Sequence, residues 1–278
     1  MKNNTFLLLV FLLFFHSIQA SNWLNSLEDA KKVALATDKL ILVDFWAIWC
    51  GPCTKMDMES WSKDDVKSLL DSYVPVKIDI DSQKSLAQEY GVQGIPYVFI
   101  LDSNGKVVYK QMSYKSKGEV MKLLKSYALS TSFLKQDLLN YHQQQNFMTS
   151  FRLASKYQDY SLYVTDKNVR SDISKLSSEY FNDSQSFLKK SDMDNKEAYL
   201  QKIGLFEIQG HLINQNSRKA LKMLDKIKAD QLHDINASFY NFLYYTAYAI
   251  AGDRNNSKIY QDKLSDFDLK KSELFLNN

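Results

Sequence analysis

The pattern of hydrophobic residues changes character about halfway along the chain, and its first half predicts a sheet. Residues 40–46 form an almost unbroken apolar run, which predicts a strand buried on both faces. Further strands are predicted over residues 74–79, 97–101 and 106–111, the last two joined as a hairpin through an Asn-Gly pair. Amphipathic segments between them predict helices over residues 21–38, 54–73, 85–90 and 117–129. This order predicts an α/β fold, with helices on both faces of a mixed sheet.

Two of these helical segments carry capping signals. Ser116 with Glu119 has the spacing of a capping box and predicts a helix start. Ser62 with Asp65 gives a similar signal inside residues 54–73, so that helix is expected to break near Trp61 and to restart after it.

The second half of the chain predicts helices only. Apolar residues recur there at three- and four-residue spacing, and no proline or cysteine occurs beyond Pro96. Helices are predicted over residues 133–144, 147–158, 168–182, 184–190, 195–210, 217–228, 235–251 and 255–266. Recurring segments resemble tetratricopeptide-type repeats. The resemblance is weak, because the repeat length varies. We therefore expect two domains, an α/β domain at 21–129 and an all-helical domain of repeat-like helical hairpins at 130–278.

The first 20 residues have the form of a secretory signal peptide. A lysine near the start is followed by a short apolar block at residues 6–15 and by a small-residue ending, Ser-Ile-Gln-Ala. The alternative is an uncleaved anchor, although the block is short for a spanning helix. We expect an exported protein that is soluble after cleavage. The net charge of +3 is small and dispersed along the chain, so nucleic acid is not an expected partner.

The two cysteines of the chain, Cys50 and Cys53, follow the predicted strand at 40–46 directly. Pro52 suits the first turn of a helix, so the pair is expected at a helix N-terminus. Unpaired N–H groups and the helix dipole there lower the pKa of Cys50 and make it the nucleophile, while Cys53 resolves the mixed disulfide. The alternatives are a stabilising disulfide, whose short loop gains little entropy, and a metal site, which needs more soft ligands than two cysteines supply. No metal is expected.

The segment VDFWAIWCGPC at residues 43–53 resembles the active site of the thioredoxin family. Asp44 stands six residues before Cys50, and Gly94-Ile95-Pro96 matches the family's Gly-Ile-Pro element, so the resemblance does not depend on the cysteines alone. It implies a thioredoxin-like fold over residues 21–129 and thiol–disulfide exchange without a cofactor. It also implies a cis peptide bond before Pro96 that faces the cysteine pair.

The resemblance also assigns roles to individual residues. Asp44 would serve Cys53 as a general acid/base through water, because burial raises the pKa of a carboxyl group, and Lys77 would modulate it. The alternatives are an aspartate tolerated at a sheet edge and, for Pro96, a turn proline without a role. The expected catalytic residues are Cys50, Cys53, Asp44 and Lys77, and the expected substrate-binding residues are Trp49, Gly51, Pro52, Ile95 and Pro96.

Two rim positions depart from thioredoxin itself. Tyr97 follows the proline where thioredoxin has a small polar residue, and Ser113 stands in place of a glycine. Both changes alter the rim that contacts partner proteins. The resemblance therefore implies the thiol chemistry of thioredoxin but not its particular substrates.

The Gly-Pro dipeptide between the cysteines resembles that of reducing thioredoxins. We therefore expect a protein-disulfide reductase, exported to a bacterial periplasm and supplied with electrons by a membrane thiol relay. Its substrates would be disulfide-containing proteins, and the helical domain would bind a protein partner. The alternatives are a disulfide isomerase or oxidase, and a scaffold in which the helical domain carries the main role.

Overall fold

A four-stranded mixed sheet lies at the centre of the first half of the molecule, in a computed structural model that describes residues 23–277. The strands are β1 (Leu40–Trp46), β2 (Tyr73–Asp79), β3 (Tyr97–Leu101) and β4 (Val107–Met112), in the order β2-β1-β3-β4. Strand β1 pairs parallel to β2 and antiparallel to β3, and β4 pairs antiparallel to β3. This confirms the expected fold class. The predicted signal peptide at residues 1–20 lies outside the described residues.

Helices cover both faces of the sheet. They are α1 (Leu27–Thr37), α2 (Gly51–Met56), α3 (Asp64–Leu70), α4 (Lys84–Glu89) and α5 (Lys117–Ser126). Side chains alternate along a strand, so Ile41 and Val43 pack with α1 and α4 while Leu40 and Leu42 pack with α2, α3 and α5. Asp44 has the same parity as Leu40 and Leu42 and therefore points towards the face that carries α2.

The predicted break near Trp61 exists, but its form differs from the expectation. A π-helical turn, Asp57–Trp61, follows α2 directly, and α3 begins only at Asp64. The Ser62–Asp65 cap is wrong, because Lys63 occupies the N-cap position and the Ser62 hydroxyl donates to the Met58 carbonyl instead. The Ser116–Glu119 capping box at the start of α5 is confirmed.

The second half is helical, as expected. Its helices are α6 (Lys135–Gln143), α7 (Phe147–Ser161), α8 (Lys167–Lys190), α9 (Lys196–Ile213), α10 (Ser217–Leu224), α11 (Ala237–Ile250), α12 (Arg254–Gln261) and α13 (Asp266–Leu276). Helix α8 is continuous where two helices were predicted, and α13 was not predicted. Short 3₁₀ turns occur at Ser132–Leu134, Ala229–Gln231 and Asp234–Asn236. Within residues 23–277, none of the helices combines the length and apolar character that crossing a membrane requires.

The helical region shares a hydrophobic core with the sheet rather than standing apart from it. Buried Asp102, in the turn between β3 and β4, accepts hydrogen bonds from the hydroxyls of Tyr157 (3.0 Å) and Tyr180 (2.5 Å). At the end of α5, the Tyr127 hydroxyl donates to Asp172 of α8 (2.5 Å). The expected domain boundary near residue 130 stays a prediction.

The Asp102 turn and the cysteine pair lie at opposite ends of the sheet. Strand β3 runs against β1, so Leu101 pairs with Ile41 near the start of β1, whereas Tyr97 pairs with Phe45 near its end. Seven residues of strand span roughly 20 Å. The helical region is thus anchored on the Asp102 turn, at the end of the sheet away from Cys50.

Candidate functional site

The cysteine pair occupies the place that the sequence predicted for it. Cys50 is the N-cap residue of α2, and Pro52 stands in the first turn of that helix. The backbone N–H of Cys53 donates to Cys50 Sγ over 3.1 Å, and the two sulfur atoms form a disulfide. When the pair is reduced, this N–H and the helix dipole are positioned to stabilise negative charge on Cys50 Sγ.

The two residues before Cys50, Ile48 and Trp49, form an exposed apolar rim beside the cysteine pair. Ile48 is 83% exposed and Trp49 is 64% exposed, whereas Cys50 is only 3% exposed. The indole N–H of Trp49 donates to Asp81 Oδ2 over 2.7 Å, which fixes the ring beside the site. Gly51 and Pro52, like Trp49, are exposed. All three of these expected substrate-binding residues are therefore at the surface next to the sulfur atoms.

The other two expected substrate-binding residues are Ile95 and Pro96, which a cis peptide bond joins. Ile95 packs against the cluster formed by Ala47 and the two cysteines. The carbonyl of Pro96 accepts a hydrogen bond from the N–H of Ser113 (2.9 Å), but neither backbone group of Ile95 has a hydrogen-bond partner among residues 23–277. The Ile95 backbone is therefore available to an extended peptide.

Asp44 is buried on the central strand β1, and its side chain is only 3% exposed. The alternative of an aspartate at a sheet edge is wrong, since β1 lies between β2 and β3. Burial raises the pKa of Asp44 from 3.8 to about 6, against the opposing effect of the nearby Lys77 charge. Its Oδ1 atom is buried without a hydrogen-bond partner. Asp44 therefore has the burial and the pKa that suit a group exchanging protons near neutral pH.

Lys77 lies next to Asp44, as the resemblance implies, but it also contacts a second carboxylate. Its Nζ atom is 3.7 Å from Asp44 Oδ2 and forms an ion pair with Asp57 Oδ1. The same ammonium lies 5.4 Å from the ring centre of Trp46 and 5.5 Å from that of Trp23. The two indole rings thus border the Lys77 ammonium as cation–π contacts.

Sequence reasoning missed Asp57. One signal could have found it: Asp57 stands four residues after Cys53, so the two share a face of the helix that the Cys-Gly-Pro-Cys segment begins. The ion pair with Lys77 itself has no local signature, because twenty residues separate the partners.

Known proteins resemble the part of the chain that carries this site. A family described as thioredoxin-like domain matches residues 27–128. Thioredoxin-1 of Drosophila yakuba is 39% identical over 77 residues, which are 28% of this chain and 70% of the relative. Thioredoxin of Bacillus subtilis is 35% identical over 96 residues, 34% of this chain and 89% of the relative. Among solved structures, the oxidised C-terminal domain of DsbD from Neisseria meningitidis is 24% identical, with 38% of this chain and 98% of that chain covered and a TM-score of 0.34.

Proposed function

The chain belongs to the thioredoxin family, and from that premise we propose that it reduces disulfide bonds in proteins through Cys50 and Cys53. Family membership and the cysteine pair support thiol–disulfide oxidoreductase chemistry. The observation that carries the reducing direction is the Gly-Pro dipeptide between the cysteines, which resembles that of reducing thioredoxins. The place of Cys50 at a helix N-terminus, with the Cys53 N–H directed at its Sγ atom, supports its role as the nucleophile.

In the proposed reaction the Cys50 thiolate attacks one sulfur of the substrate disulfide and expels the other as a thiolate, leaving a mixed disulfide. Cys53 then loses its thiol proton, attacks Cys50 Sγ and releases the second substrate sulfur. The two substrate thiolates take up two protons. The substrate disulfide gains two electrons, and the Cys50–Cys53 pair loses them as it forms the internal disulfide.

Asp44 is proposed to accept the Cys53 proton through a water molecule. A base whose pKa lies close below the working pH is mostly ionised and still binds a proton strongly, and burial gives Asp44 a pKa of about 6. Lys77 modulates this basicity from 3.7 Å away.

The substrate is proposed to lie as an extended strand across the rim. The unpartnered backbone groups of Ile95 can pair with it, and the exposed residues Trp49, Gly51 and Pro52 contact its side chains. Pro96 is buried directly after Ile95. Main-chain pairing of this kind selects extended segments around a disulfide rather than one particular sequence.

Export to a bacterial periplasm, with electrons from a membrane thiol relay, is also proposed; the signal-peptide pattern of residues 1–20 supports the export. Mass spectrometry of protein recovered from the producing cell tests it. Loss of the first 20 residues is the expected result, and an intact N-terminus argues for a retained anchor.

The redox direction is tested by equilibrating the wild-type pair with a glutathione series and counting free thiols by alkylation. A midpoint near the thioredoxin value, about −270 mV, supports a reductase, while one near about −120 mV indicates an oxidase.

The Cys53→Ser variant, incubated in its reduced form with oxidised protein substrates, is expected to trap a mixed disulfide at Cys50. The Cys50→Ser variant is the matched control and traps none. Equal trapping by both variants would contradict the assignment of Cys50 as the nucleophile.

A further inference from the structure

Lys77 is held by two carboxylates that differ sharply in their surroundings. The Asp57 side chain is 36% exposed and forms the direct ion pair, whereas the Asp44 side chain is 3% exposed and lies 3.7 Å from the same ammonium. The rings of Trp23 and Trp46 pack near the ammonium and limit where it can move. One cation is therefore shared between an accessible acid and a buried one.

A π-helical turn follows α2 next to this ion pair. Asp57 and Trp61 are its first and last residues, and both lie near the buried Asp44. Trp61 packs edge-on against Trp23 with a ring-centre distance of 5.2 Å, and its buried indole N–H has no hydrogen-bond partner among the described residues. π-Helical turns inside helices are frequent at functional sites, because they redirect side chains that a regular helix would point elsewhere.

A groove of about 1020 Å³ exposes this arrangement to solvent. It is lined by Trp23, Trp46, Trp61, Asp57 and Lys77, among other residues. The Lys77–Asp57 pair thus lies between the solvent and Asp44, where it can respond to water while Asp44 stays buried.

We propose that Asp57 is a positioning residue, which engages the Lys77 ammonium so that Asp44 remains a strong proton acceptor at neutral pH. The inference rests on the proposed function, since Asp44 needs this strength to deprotonate Cys53. Two effects act in the same direction. Asp57 competes with Asp44 for the one cation, and its own negative charge disfavours a second carboxylate nearby. The charged groups that face Asp44 are Lys77 from β2 and Asp57 from the π-helical turn. The cysteines at the start of α2 form a disulfide in the oxidised protein and therefore carry no charge there.

The test is a carboxyl ¹³C NMR titration of Asp44 in the oxidised protein, in which neither cysteine titrates. The Asp44 signal is identified by its loss in Asp44→Asn. In Asp57→Asn, Lys77 is free to pair with Asp44. The titration midpoint of Asp44 is therefore expected to fall by at least about one pH unit, a tenfold loss of proton affinity. Asp57→Glu, which keeps the charge, is expected to restore the wild-type midpoint.

The matched control is Glu59→Gln, in the same π-helical turn. Glu59 accepts a hydrogen bond from Tyr114 and lies near Lys55, away from the Lys77 ammonium. Its removal is expected to leave the Asp44 midpoint unchanged. An Asp44 midpoint in Asp57→Asn that stays in place or rises overturns the proposal, as does an equal shift in Glu59→Gln.

The titration tests the role of Asp57 and the reductase assay tests the proposed function, so each can be contradicted without the other. If the wild-type dithiol does not reduce protein disulfides but Asp57→Asn lowers the Asp44 midpoint, the proposed function is wrong and the assignment of Asp57 as a positioning residue stands. If the reductase is active and the midpoint does not move, only the role of Asp57 is wrong.

Discussion

Replacing Asp44 with asparagine is expected to stabilise the oxidised protein at neutral pH, although it removes the proposed proton acceptor. Burial gives Asp44 a pKa of about 6, against an ordinary value of 3.8. The gap of about 2 pH units corresponds to about 3 kcal/mol, by which the ionised side chain is less favourable in the folded protein than the neutral one. Asparagine has nearly the shape of the neutral acid and carries no charge. Lys77 keeps its ion pair with Asp57 in this variant.

The pH dependence of the stability gain distinguishes the removal of a buried charge from a general packing effect. Because the folded pKa of Asp44 lies above its unfolded value, the folded state binds more protons between the two values. The contribution of Asp44 to the free energy of unfolding therefore rises as the pH falls through this window. Asp44→Asn should exceed the wild type by about 3 kcal/mol at about pH 8, and the two proteins should converge at about pH 4.

Urea unfolding of the disulfide form, followed by tryptophan fluorescence across this pH range, measures the difference. Glu89→Gln, at an exposed carboxylate in α4, is the control and should show no comparable pH-dependent gain. A stability difference for Asp44→Asn that is independent of pH, or one that grows as the pH falls, would refute the reasoning.

Three further outcomes are expected from urea unfolding. Tyr180→Phe removes a hydroxyl donor from Asp102 and should cost about 2 kcal/mol, whereas Tyr163→Phe, at a side chain 61% exposed, should change little. Ser113→Gly should stabilise by about 1 kcal/mol, because Ser113 has a φ of 82° that glycine adopts without strain; a loss of stability would contradict this. A chain ending at residue 129 exposes the core shared with the helical region, so it should bind a hydrophobic dye and lack a cooperative transition; cooperative unfolding without dye binding would show an independent domain.

The parts of the fold that the sequence predicted are those with local signals. The apolar run of β1, the Asn-Gly turn between β3 and β4, and the Ser116–Glu119 box each depend on residues close together in the chain. The same holds for Cys50 at the N-cap, where Pro52 one turn later indicates the helix start. Residues assigned by resemblance to the family, above all Asp44 and Lys77, could be paired because a family pattern carries long-range information.

The parts that could not be predicted depend on contacts between distant segments. The capping signal at Ser62 was overridden because the π-helical turn takes up the chain as far as Trp61 and moves the next helix start to Asp64. Asp57 has no neighbour in sequence that indicates Lys77 as its partner. The attachment of the helical region to the hairpin turn depends on two tyrosine hydroxyls, 55 and 78 residues from Asp102.

Two buried aspartates, Asp44 in β1 and Asp102 in the turn after β3, differ in the hydrogen bonds that they accept. Asp102 accepts four hydrogen bonds, from the backbone N–H groups of Asn104 and Lys106 on Oδ1 and from Tyr157 and Tyr180 on Oδ2. Burial raises the pKa of Asp102 as it does that of Asp44, and these four hydrogen bonds oppose the rise. A change of protonation would break contacts that hold the two halves together.

Asp44, equally buried, has one oxygen without a partner and a cation that it shares with Asp57. A proton can therefore bind to it without breaking a hydrogen-bond network. Burial contributes most to its affinity for that proton, and the neighbouring Lys77 charge opposes this effect. Burial and residue type are the same at the two ends of the sheet, but only the burial of Asp44 can be anticipated from the strand pattern, because Asp102 lies in a turn. The number of donors around each carboxylate differs, and the proposed mechanism assigns the proton transfer to the one with fewer donors. Only the tertiary structure provides that number.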